Sequence, residues 1–353
     1  MSQLLPILVV GGSGYVAGEL LRLLVGHPGA GEVVVISQSQ GGEAVVEVFP
    51  HLASAYPGLS FQSLDAARSW LSRHPRAGVL SAAPHGASAT LLDGLLTEAE
   101  SDGRELLLVD VSADFRFRDP ERYQAVYGHT HGAPTRLAQF TCAVPEHAAA
   151  GTSGPIAHPG CFTTSVVLVA RPLLAAGVIS PRLAVSAITG STGAGRTPTA
   201  TTHHPARRSA VFAYQPLAHR HAPEMKSLLA DAAGVEPELF FVPQAGPHAR
   251  GIYTVIHAEL AAPATAAELL AVLAAAYAGS PFVSVAATPP KLPDVVGSNH
   301  CHLSVAVEGD HVVLISALDN LVKGAAGGAL QWLNRLAGWP ETWGLERPGL
   351  GWF

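Results

Sequence analysis

Cys161 is the residue with the clearest chemical potential in this sequence. It stands in AHPGCFTTSVVL, directly after Pro159 and Gly160 and directly before an apolar segment that predicts a helix. A thiolate in the first turn of a helix is stabilised by unpaired backbone N–H groups, which lowers the thiol pKa and raises its reactivity. The position therefore predicts a nucleophile. The alternative is a small residue that suits a crowded helix start.

A cysteine nucleophile needs an acid or base beside it, and the segment AHRHAPE offers one. His219 and His221 lie just ahead of a second predicted helix, and an imidazole with a pKa near neutrality can accept or return a proton. Metal binding is one alternative, although a third soft ligand at suitable spacing is missing. A solvated helix start is the other.

Three segments could bind anions. SADFRF places Ser112 and Arg116 at the end of a predicted strand, where a guanidinium can hold a carboxylate or phosphate through two hydrogen bonds. GSTGAGR ends in Arg196, and its glycine-rich turn suits an anion. A structural ion pair and a plain flexible turn are the respective alternatives. The segment HHPARR, residues 203–208, is locally basic and predicts either a surface loop or a docking patch for an anionic partner.

The segment GGSGYVAGEL predicts a dinucleotide-binding turn. Gly11, Gly14 and Ala17 form G-x-x-G-x-x-A between an apolar run and a helical pattern, and small residues there let the backbone approach a pyrophosphate. The next strand ends in SQSQ, where NAD-specific sites usually carry an acidic residue for the ribose. Ser37 and Ser39 are neutral, which favours NADP, although no basic residue there meets a 2′-phosphate.

These segments follow the strands of a predicted α/β fold. Apolar runs at 4–10, 32–36, 78–82 and 106–111 alternate with helical stretches, which predicts a doubly wound parallel sheet with ligands at the carboxyl ends of its strands. After Cys161 strand-like segments become frequent and closely spaced, as in an antiparallel or mixed sheet. Helices are predicted there at about 162–176, 222–233 and 265–278, the last with a capping box formed by Thr265 and Glu268.

Composition restricts the class of protein. The chain has 353 residues, enough for two domains, and a net charge of -6, which makes nucleic acid an unexpected partner. The start lacks the cationic region of a signal peptide, and no apolar run reaches the roughly 18 residues of a membrane span. Cys142, Cys161 and Cys301 have no CxxC spacing, which favours a reducing cytoplasm over disulfides or a zinc site.

The order of these motifs resembles that of the N-acetyl-γ-glutamyl-phosphate reductase family, relatives of aspartate-semialdehyde dehydrogenase. The resemblance extends from about residue 5 to residue 345 through GGSGYVAGEL, APHG, DVSADFRFRDPERY, HPGC, GSTGAGR, HRHAPE and LDNLVKGAAGGALQWLN. It implies NADPH-dependent reduction of an acyl phosphate to a semialdehyde through a cysteine thioester. It also implies a Rossmann-type domain over residues 1–158, completed by a C-terminal helix in 322–353, and an α+β catalytic and dimerisation domain over 159–321.

The resemblance further implies roles for individual residues. Cys161 is expected to be the nucleophile and His219 the acid–base group. The implied substrate contacts are Ser112, Arg116, Arg196 and His221. The cofactor is expected to contact Gly11, Ser13, Gly14, Tyr15 and Val16, with Ser37 and Ser39 at the end of the second strand and Pro84 and Asn320 near the nicotinamide. No metal is expected.

The family has two branches that differ in substrate. One reduces N-acetyl-γ-glutamyl phosphate in arginine synthesis, and the other reduces aminoadipyl 6-phosphate, and in some members glutamyl phosphate, on an acidic amino-group carrier protein of a lysine route. THHPARRS resembles SHHPER of the lysine branch, whereas GAGR and GSNHCHLSVAV resemble the arginine branch. Because a basic loop suits an acidic carrier, we expect the carrier-linked substrate and keep the arginine-branch substrate as the alternative. A dimer or tetramer is expected.

Two functions of other classes share part of this pattern. A short-chain dehydrogenase needs Y-x-x-x-K, and no tyrosine here has a lysine four residues later. A non-catalytic dinucleotide-sensing function would explain the glycine turn, but it would not explain Cys161 and the histidine cluster.

Overall fold

The computed structural model describes residues 4–352 and divides them into two compact units. The first unit comprises the chain up to Pro159 together with Ala325–Glu346. The second comprises Gly160–Gly324 together with the residues from Arg347 onward. The predicted first domain begins at residue 1, and the predicted C-terminal segment ends at residue 353. Residues 1–3 and 353 lie outside the described residues.

The strands of the described chain lie in two sheets. In chain order they are β1 Leu5–Val10, β2 Ala30–Ile36, β3 Arg76–Ser81, β4 Glu105–Asp110, β5 Thr141–Cys142, β6 Ile156–Ala157, β7 Arg182–Thr189, β8 Phe212–Ala213, β9 Glu238–Ala245, β10 Ile252–Glu259, β11 Val283–Val285, β12 Cys301–Glu308 and β13 His311–Leu318.

The helices connect these strands or pack on the sheets. They are α1 Tyr15–Leu24, α2 Val45–Val48, α3 Leu64–Leu71, α4 Ser88–Ser101, α5 Pro120–Tyr127, α6 Cys161–Ala175, α7 His204–Arg207, α8 His221–Ala233, α9 Ala266–Ala276 and α10 Gly327–Ala337. A π-helical turn, Val322–Ala326, precedes α10.

A parallel six-stranded sheet forms the core of the first unit. Its order is β2-β1-β3-β4-β6-β5, and all of its pairings are parallel. The successive side chains of Ile7, Leu8 and Val9 are all fully buried, because both faces of a doubly wound sheet are covered. The predicted Rossmann-type sheet is confirmed. Its strand order reverses at β1, which makes the turn after β1 the expected ligand edge.

Gly11 fixes the shape of that turn. Its φ is +80°, and a Cβ at this position would lie 2.4 Å from the carbonyl oxygen of Ala82, which follows β3. The N–H of Gly12 donates to the carbonyl of Ile36 at 2.8 Å, which ties the turn to the end of β2. The chain therefore needs glycine at residue 11 for both its backbone conformation and its close approach to β3.

A mixed seven-stranded sheet forms the core of the second unit. Its order is β11-β12-β13-β10-β7-β9-β8, in which β7 pairs parallel to β9 and antiparallel to β10. Helix α6 packs on this sheet through a buried polar link: the hydroxyls of Ser165 and Thr254 lie 2.7 Å apart, and the Ser316 hydroxyl donates to the carbonyl of Ser165 at 2.8 Å. These bonds fix the position of α6, and with it the position of its first residue.

The C-terminal segment is divided between the two units. α10 ends at Ala337, and Gly338 follows it in the left-handed region with φ +73°, which is a common helix stop. Beyond it, the N–H of Leu350 donates to the carbonyl of Val296 at 2.9 Å. The described residues from Arg347 onward belong to the second unit. Helix α10 belongs to the first, where Trp332 Nε1 donates to the carbonyl of Ala143 at 2.9 Å.

Candidate active site

The start of α6 places a cysteine at an uncapped helix N-terminus. Cys161 is the first residue of the helix, and Gly160 before it is extended, with φ −60° and ψ 153°. No side chain in the described part of the chain caps this end. The N–H of Gly160 donates to Oε1 of the buried Glu224 at 2.7 Å, which holds the turn in place from α8. The first-turn amides therefore remain directed toward the cysteine end of the helix.

Cys161 lines a cavity of about 430 Å³ that lies wholly within the second unit. Its side chain is half-buried, so the thiol can be reached from the cavity and is not sealed in apolar packing. His219 and His221 line the same cavity, so three of the predicted site residues come together. Cys142 in β5 and Cys301 in β12 lie outside this lining, as expected for passive cysteines.

His219 lies in an aromatic enclosure. Its ring centroid lies 5.7 Å from that of Phe162, 5.6 Å from that of Tyr214 and 5.4 Å from that of Phe241. Burial, with a smaller contribution from the positive charge of Arg220, lowers the pKa of His219 to about 4. The near-neutral pKa suggested by the sequence is therefore wrong for this imidazole, which is uncharged at pH 7.

One hydrogen bond fixes the tautomer of His219. The backbone N–H of His221 donates to Nδ1 of His219 at 3.1 Å. An imidazole nitrogen that accepts a hydrogen bond carries no proton, so in the neutral ring the proton is assigned to Nε2. His219 is thereby a hydrogen-bond donor through Nε2 at neutral pH.

Tyr214 is a cavity residue that the sequence analysis did not single out. Burial raises its pKa, and negative charge on the Cys161 sulfur raises it further. The loop after Tyr214 is unusual, because Gln215 and Leu217 are non-glycine residues with φ of 45° and 61°. The N–H of Leu217 donates to the carbonyl of Phe241 at 2.9 Å, which holds this loop on β9.

Gly324 is a second residue that the sequence did not identify as part of the site. A Cβ at this position would lie 2.7 Å from the Cβ of Cys161 and 3.1 Å from its Cα. Glycine in the π-helical turn therefore leaves room for the cysteine in its observed position.

Replacing Gly324 with alanine should displace Cys161. Because an error of about 1 Å in a reacting group can cost about 100-fold in rate, we expect Gly324→Ala to lower kcat by roughly 10- to 100-fold. Steady-state assays of semialdehyde oxidation measure this, with thermal unfolding as a check on folding. Gly58→Ala is the matched control, because a Cβ there meets no atom within 4 Å. Equal kcat values for the two variants would contradict the expectation.

The other predicted residues of the second unit lie outside the cavity lining. Arg196 is exposed, although Gly190 and Gly193 of the same loop line the cavity. Asn320 is buried, with its Oδ1 accepting from the N–H of Gly251 at 2.7 Å and its Nδ2 donating to Thr192 Oγ1 at 3.0 Å. It therefore joins two loops of this unit.

In the first unit, three predicted cofactor residues come together at the ends of β1 and β2. The Ser37 hydroxyl donates to Ser13 Oγ at 3.5 Å, and the hydroxyls of Ser37 and Ser39 lie 3.4 Å apart. Helix α1 begins at Tyr15 after Gly14, and no described side chain caps its first turn. Pro84 lies two residues after Ala82, whose backbone Gly11 approaches at the end of β3. Val16 lies in the first turn of α1.

Ser112 and Arg116 lie in the first unit, after β4. The Ser112 hydroxyl donates to Asp110 Oδ2 at 2.5 Å. Arg116 is buried, and its guanidinium donates to the carbonyls of His158 at 3.1 Å and Val111 at 2.8 Å. Asp114 accepts hydrogen bonds from the N–H groups of Gly86 and Ala89 and from the hydroxyl of Tyr123, and so holds these three residues in place.

Across residues 4–352, no group of three or more His, Cys, Asp and Glu side chains is arranged to hold a metal ion. No described helix is long and apolar enough to span a membrane.

Comparison with known proteins assigns each unit. Residues 6–149 match the NAD binding domain of semialdehyde dehydrogenases, and residues 161–320 match the dimerisation domain of the same enzymes. An N-acetyl-gamma-glutamyl-phosphate reductase of Alkalilimnicola ehrlichii is 38% identical over 349 residues, covering 97% of this chain and 98% of that protein. The chain belongs to the N-acetyl-gamma-glutamyl-phosphate reductase family of semialdehyde dehydrogenases. The reductase of that name from Moorella thermoacetica is 37% identical and covers 97% of this chain and 98% of its own length.

The fold is similar to that of solved structures. Aspartate semialdehyde dehydrogenase II from Vibrio cholerae has a TM-score of 0.68 and 17% identity, covering 95% of this chain and 99% of that one. At this identity the likeness concerns the fold alone. As a member of the N-acetyl-gamma-glutamyl-phosphate reductase family, the chain is an oxidoreductase with an NAD(P)-binding first unit.

Proposed function

We propose that this protein reduces N-acetyl-γ-glutamyl phosphate to the corresponding semialdehyde with NADPH and releases phosphate. The observation that carries this proposal is the accessible Cys161 at an uncapped helix start, in one cavity with a neutral His219. The names of the relatives favour this substrate, the alternative in the sequence analysis, over the carrier-linked aminoadipyl phosphate that THHPARRS suggested.

The first step forms a thioester on Cys161. The thiolate attacks the acyl carbon, a C–S bond forms, the bond between that carbon and the phosphate oxygen breaks, and phosphate leaves with the electron pair. Negative charge develops on the carbonyl oxygen during the attack. The unpaired amides at the start of α6 supply donors for it, because they are fixed before the reaction begins.

The second step reduces the thioester and frees the cysteine. When bound, NADPH supplies the hydride for the thioester carbon. His219 then donates a hydrogen bond from Nε2 to the oxygen of the resulting hemithioacetal, which stabilises its negative charge. The C–S bond breaks, the sulfur keeps the electron pair as a thiolate, and the semialdehyde leaves.

The turn between β1 and α1 fits a dinucleotide. The start of α1 lacks a side-chain cap, and Gly11 brings the backbone close to the end of β3, so the pyrophosphate would meet backbone N–H groups of the turn. The neutral hydroxyls of Ser13, Ser37 and Ser39 would contact the ribose of the adenosine half of the cofactor. No acid stands at Ser37–Gln40 to disfavour a 2′-phosphate, which supports NADP over NAD.

A Gly14→Ala substitution separates cofactor binding from folding. A Cβ at Gly14 would meet only the carbonyl oxygen of Gly11, at 3.9 Å, so the free protein accommodates it. We expect the Kd for NADP+ to rise by about tenfold, because the methyl group occupies the space that the pyrophosphate needs. The thermal midpoint should stay unchanged. Fluorescence titration with NADP+ measures the affinity, and an unaltered Kd would place the pyrophosphate elsewhere.

An assay with two semialdehydes tests the proposed substrate. Purified protein should form NADPH from NADP+ and free N-acetylglutamate semialdehyde only when inorganic phosphate is present. Turnover of a carrier-linked aminoadipate semialdehyde alone would overturn the substrate assignment, and turnover of neither compound would favour the dinucleotide-sensing alternative.

The match of the second unit to a dimerisation domain also supports a homodimer, which light scattering in solution tests.

A further inference from the structure

Arg207 is the one residue of the basic segment 203–208 that points inward. His203, His204 and Arg208 are exposed, as a surface patch requires, but only 8% of Arg207 is accessible. Arg207 ends the short helix α7 and lines the same cavity as Cys161. Arg207 is therefore not available to the docking patch that this segment predicts.

The contacts of Arg207 orient its guanidinium without neutralising it. Nη2 donates to the carbonyl of Thr189 at 3.3 Å, and the guanidinium carbon lies 5.5 Å from the ring centroid of Phe212. Its Nε has no hydrogen-bond partner within residues 4–352, and no carboxylate of these residues contributes to its pKa. Burial lowers the pKa of Arg207, which reflects the cost of keeping this charge out of water. Buried charges are ordinarily paired, whereas the described residues give this guanidinium no carboxylate partner.

The rest of the cavity also suits an anion. Among the described residues that line it, none is Asp or Glu, whereas Arg220 adds a second positive charge. The hydroxyl of Thr189 is buried, lines the cavity and has no partner in the described chain. His219 is uncharged and offers an N–H group. Among the described residues, the cavity lining thus presents several hydrogen-bond donors and no carboxylate.

We propose that Arg207 binds an oxyanion of the substrate, either its carboxylate or its phosphoryl group, inside the Cys161 cavity. The planar guanidinium matches both groups, because each offers two oxygens to a pair of parallel N–H donors. The Thr189 hydroxyl provides a further donor. This inference rests on the proposed function, since an acyl phosphate of an amino acid carries both anions.

Protection of Cys161 from alkylation tests the proposal without requiring turnover. Iodoacetamide should modify Cys161, and either inorganic phosphate or N-acetylglutamate should slow the reaction in the unaltered protein. In Arg207→Met the concentration needed for half-protection should rise by about 10- to 100-fold, the usual value of a charge-assisted hydrogen bond. Arg207→Lys keeps the charge and should retain part of the protection. Arg208→Met, at the exposed neighbour, is the matched control and should behave like the unaltered protein.

The two ligands identify which group Arg207 binds. Loss of protection by phosphate alone assigns Arg207 to the phosphoryl group, and loss with N-acetylglutamate alone assigns it to the carboxylate. Equal half-protection concentrations in Arg207→Met and Arg208→Met, with unchanged alkylation in the absence of ligand, would overturn the proposal. A protein that shows protection but reduces no acyl phosphate would contradict the proposed function and leave the anion site intact, so the two failures can be distinguished.

Discussion

Cys161→Ser should reduce phosphate-dependent oxidation of the semialdehyde by on the order of 10⁴-fold or more, because loss of a covalent nucleophile removes the thioester route entirely. A serine hydroxyl at the same position has a far higher pKa than a thiol, so the helix start cannot ionise it at neutral pH. NADPH formation measured at saturating substrate gives the ratio of kcat values. The Kd for NADP+, measured by titration, should not change.

Cys142→Ser provides the control for this substitution. Cys142 is half-buried in β5 of the first unit and is not part of the cavity lining, so its replacement should leave kcat within a factor of two or so. Mass spectrometry of protein trapped with acyl phosphate in the absence of NADPH should find the acyl group on Cys161. A Cys161→Ser variant with kcat near that of Cys142→Ser would exclude the thioester mechanism.

His219→Ala should lower kcat by about 100- to 1000-fold, the usual cost of removing one donor to a developing oxyanion. His219→Gln keeps an N–H group near the position of Nε2 and should recover part of that loss. A residue that only fills space would give similar values for both variants. Alanine and glutamine of equal activity would therefore argue against the donor role.

The pH dependence of kcat gives an independent check. Since burial lowers the pKa of His219 to about 4, its neutral donor form predominates above about pH 5. We expect no inflection from this imidazole between pH 6 and 7.5, in contrast to an acid–base histidine with an ordinary pKa. An acid limb near pH 6.5 that disappears in His219→Gln would contradict this assignment.

The fold could be predicted where the signal is local in the chain. The apolar runs of β1 and β3 and the glycine turn determine the parallel sheet, and the expected helix at about 162–176 is α6, Cys161–Ala175. The capping box also formed, with Thr265 Oγ1 accepting from the N–H of Glu268 at 3.3 Å. Each of these features depends on residues within a few positions of one another.

The site could be predicted only in part, because several of its properties depend on distant residues. The cysteine and the two histidines come from short motifs, but the low pKa of His219 comes from burial, and the rings that pack against it include Phe162 on α6 and Phe241 on β9. Likewise, the inward direction of Arg207 depends on Thr189 at the end of β7. Nothing in HHPARR distinguishes its two arginines, because a segment this short and polar has no hydrophobic period.

The enclosure of His219 also limits the acid tolerance of the protein. In the unfolded chain this imidazole binds a proton as the pH falls through 6.5, whereas the folded chain resists protonation down to about pH 4. Over that interval the unfolded chain holds more protons, so acidification favours unfolding, by roughly 3 kcal/mol at the lower limit. Burial lowers the pKa of His27, His131 and His248 in the same direction. Mild acid should therefore lower the free energy of unfolding while the imidazole in the Cys161 cavity stays uncharged.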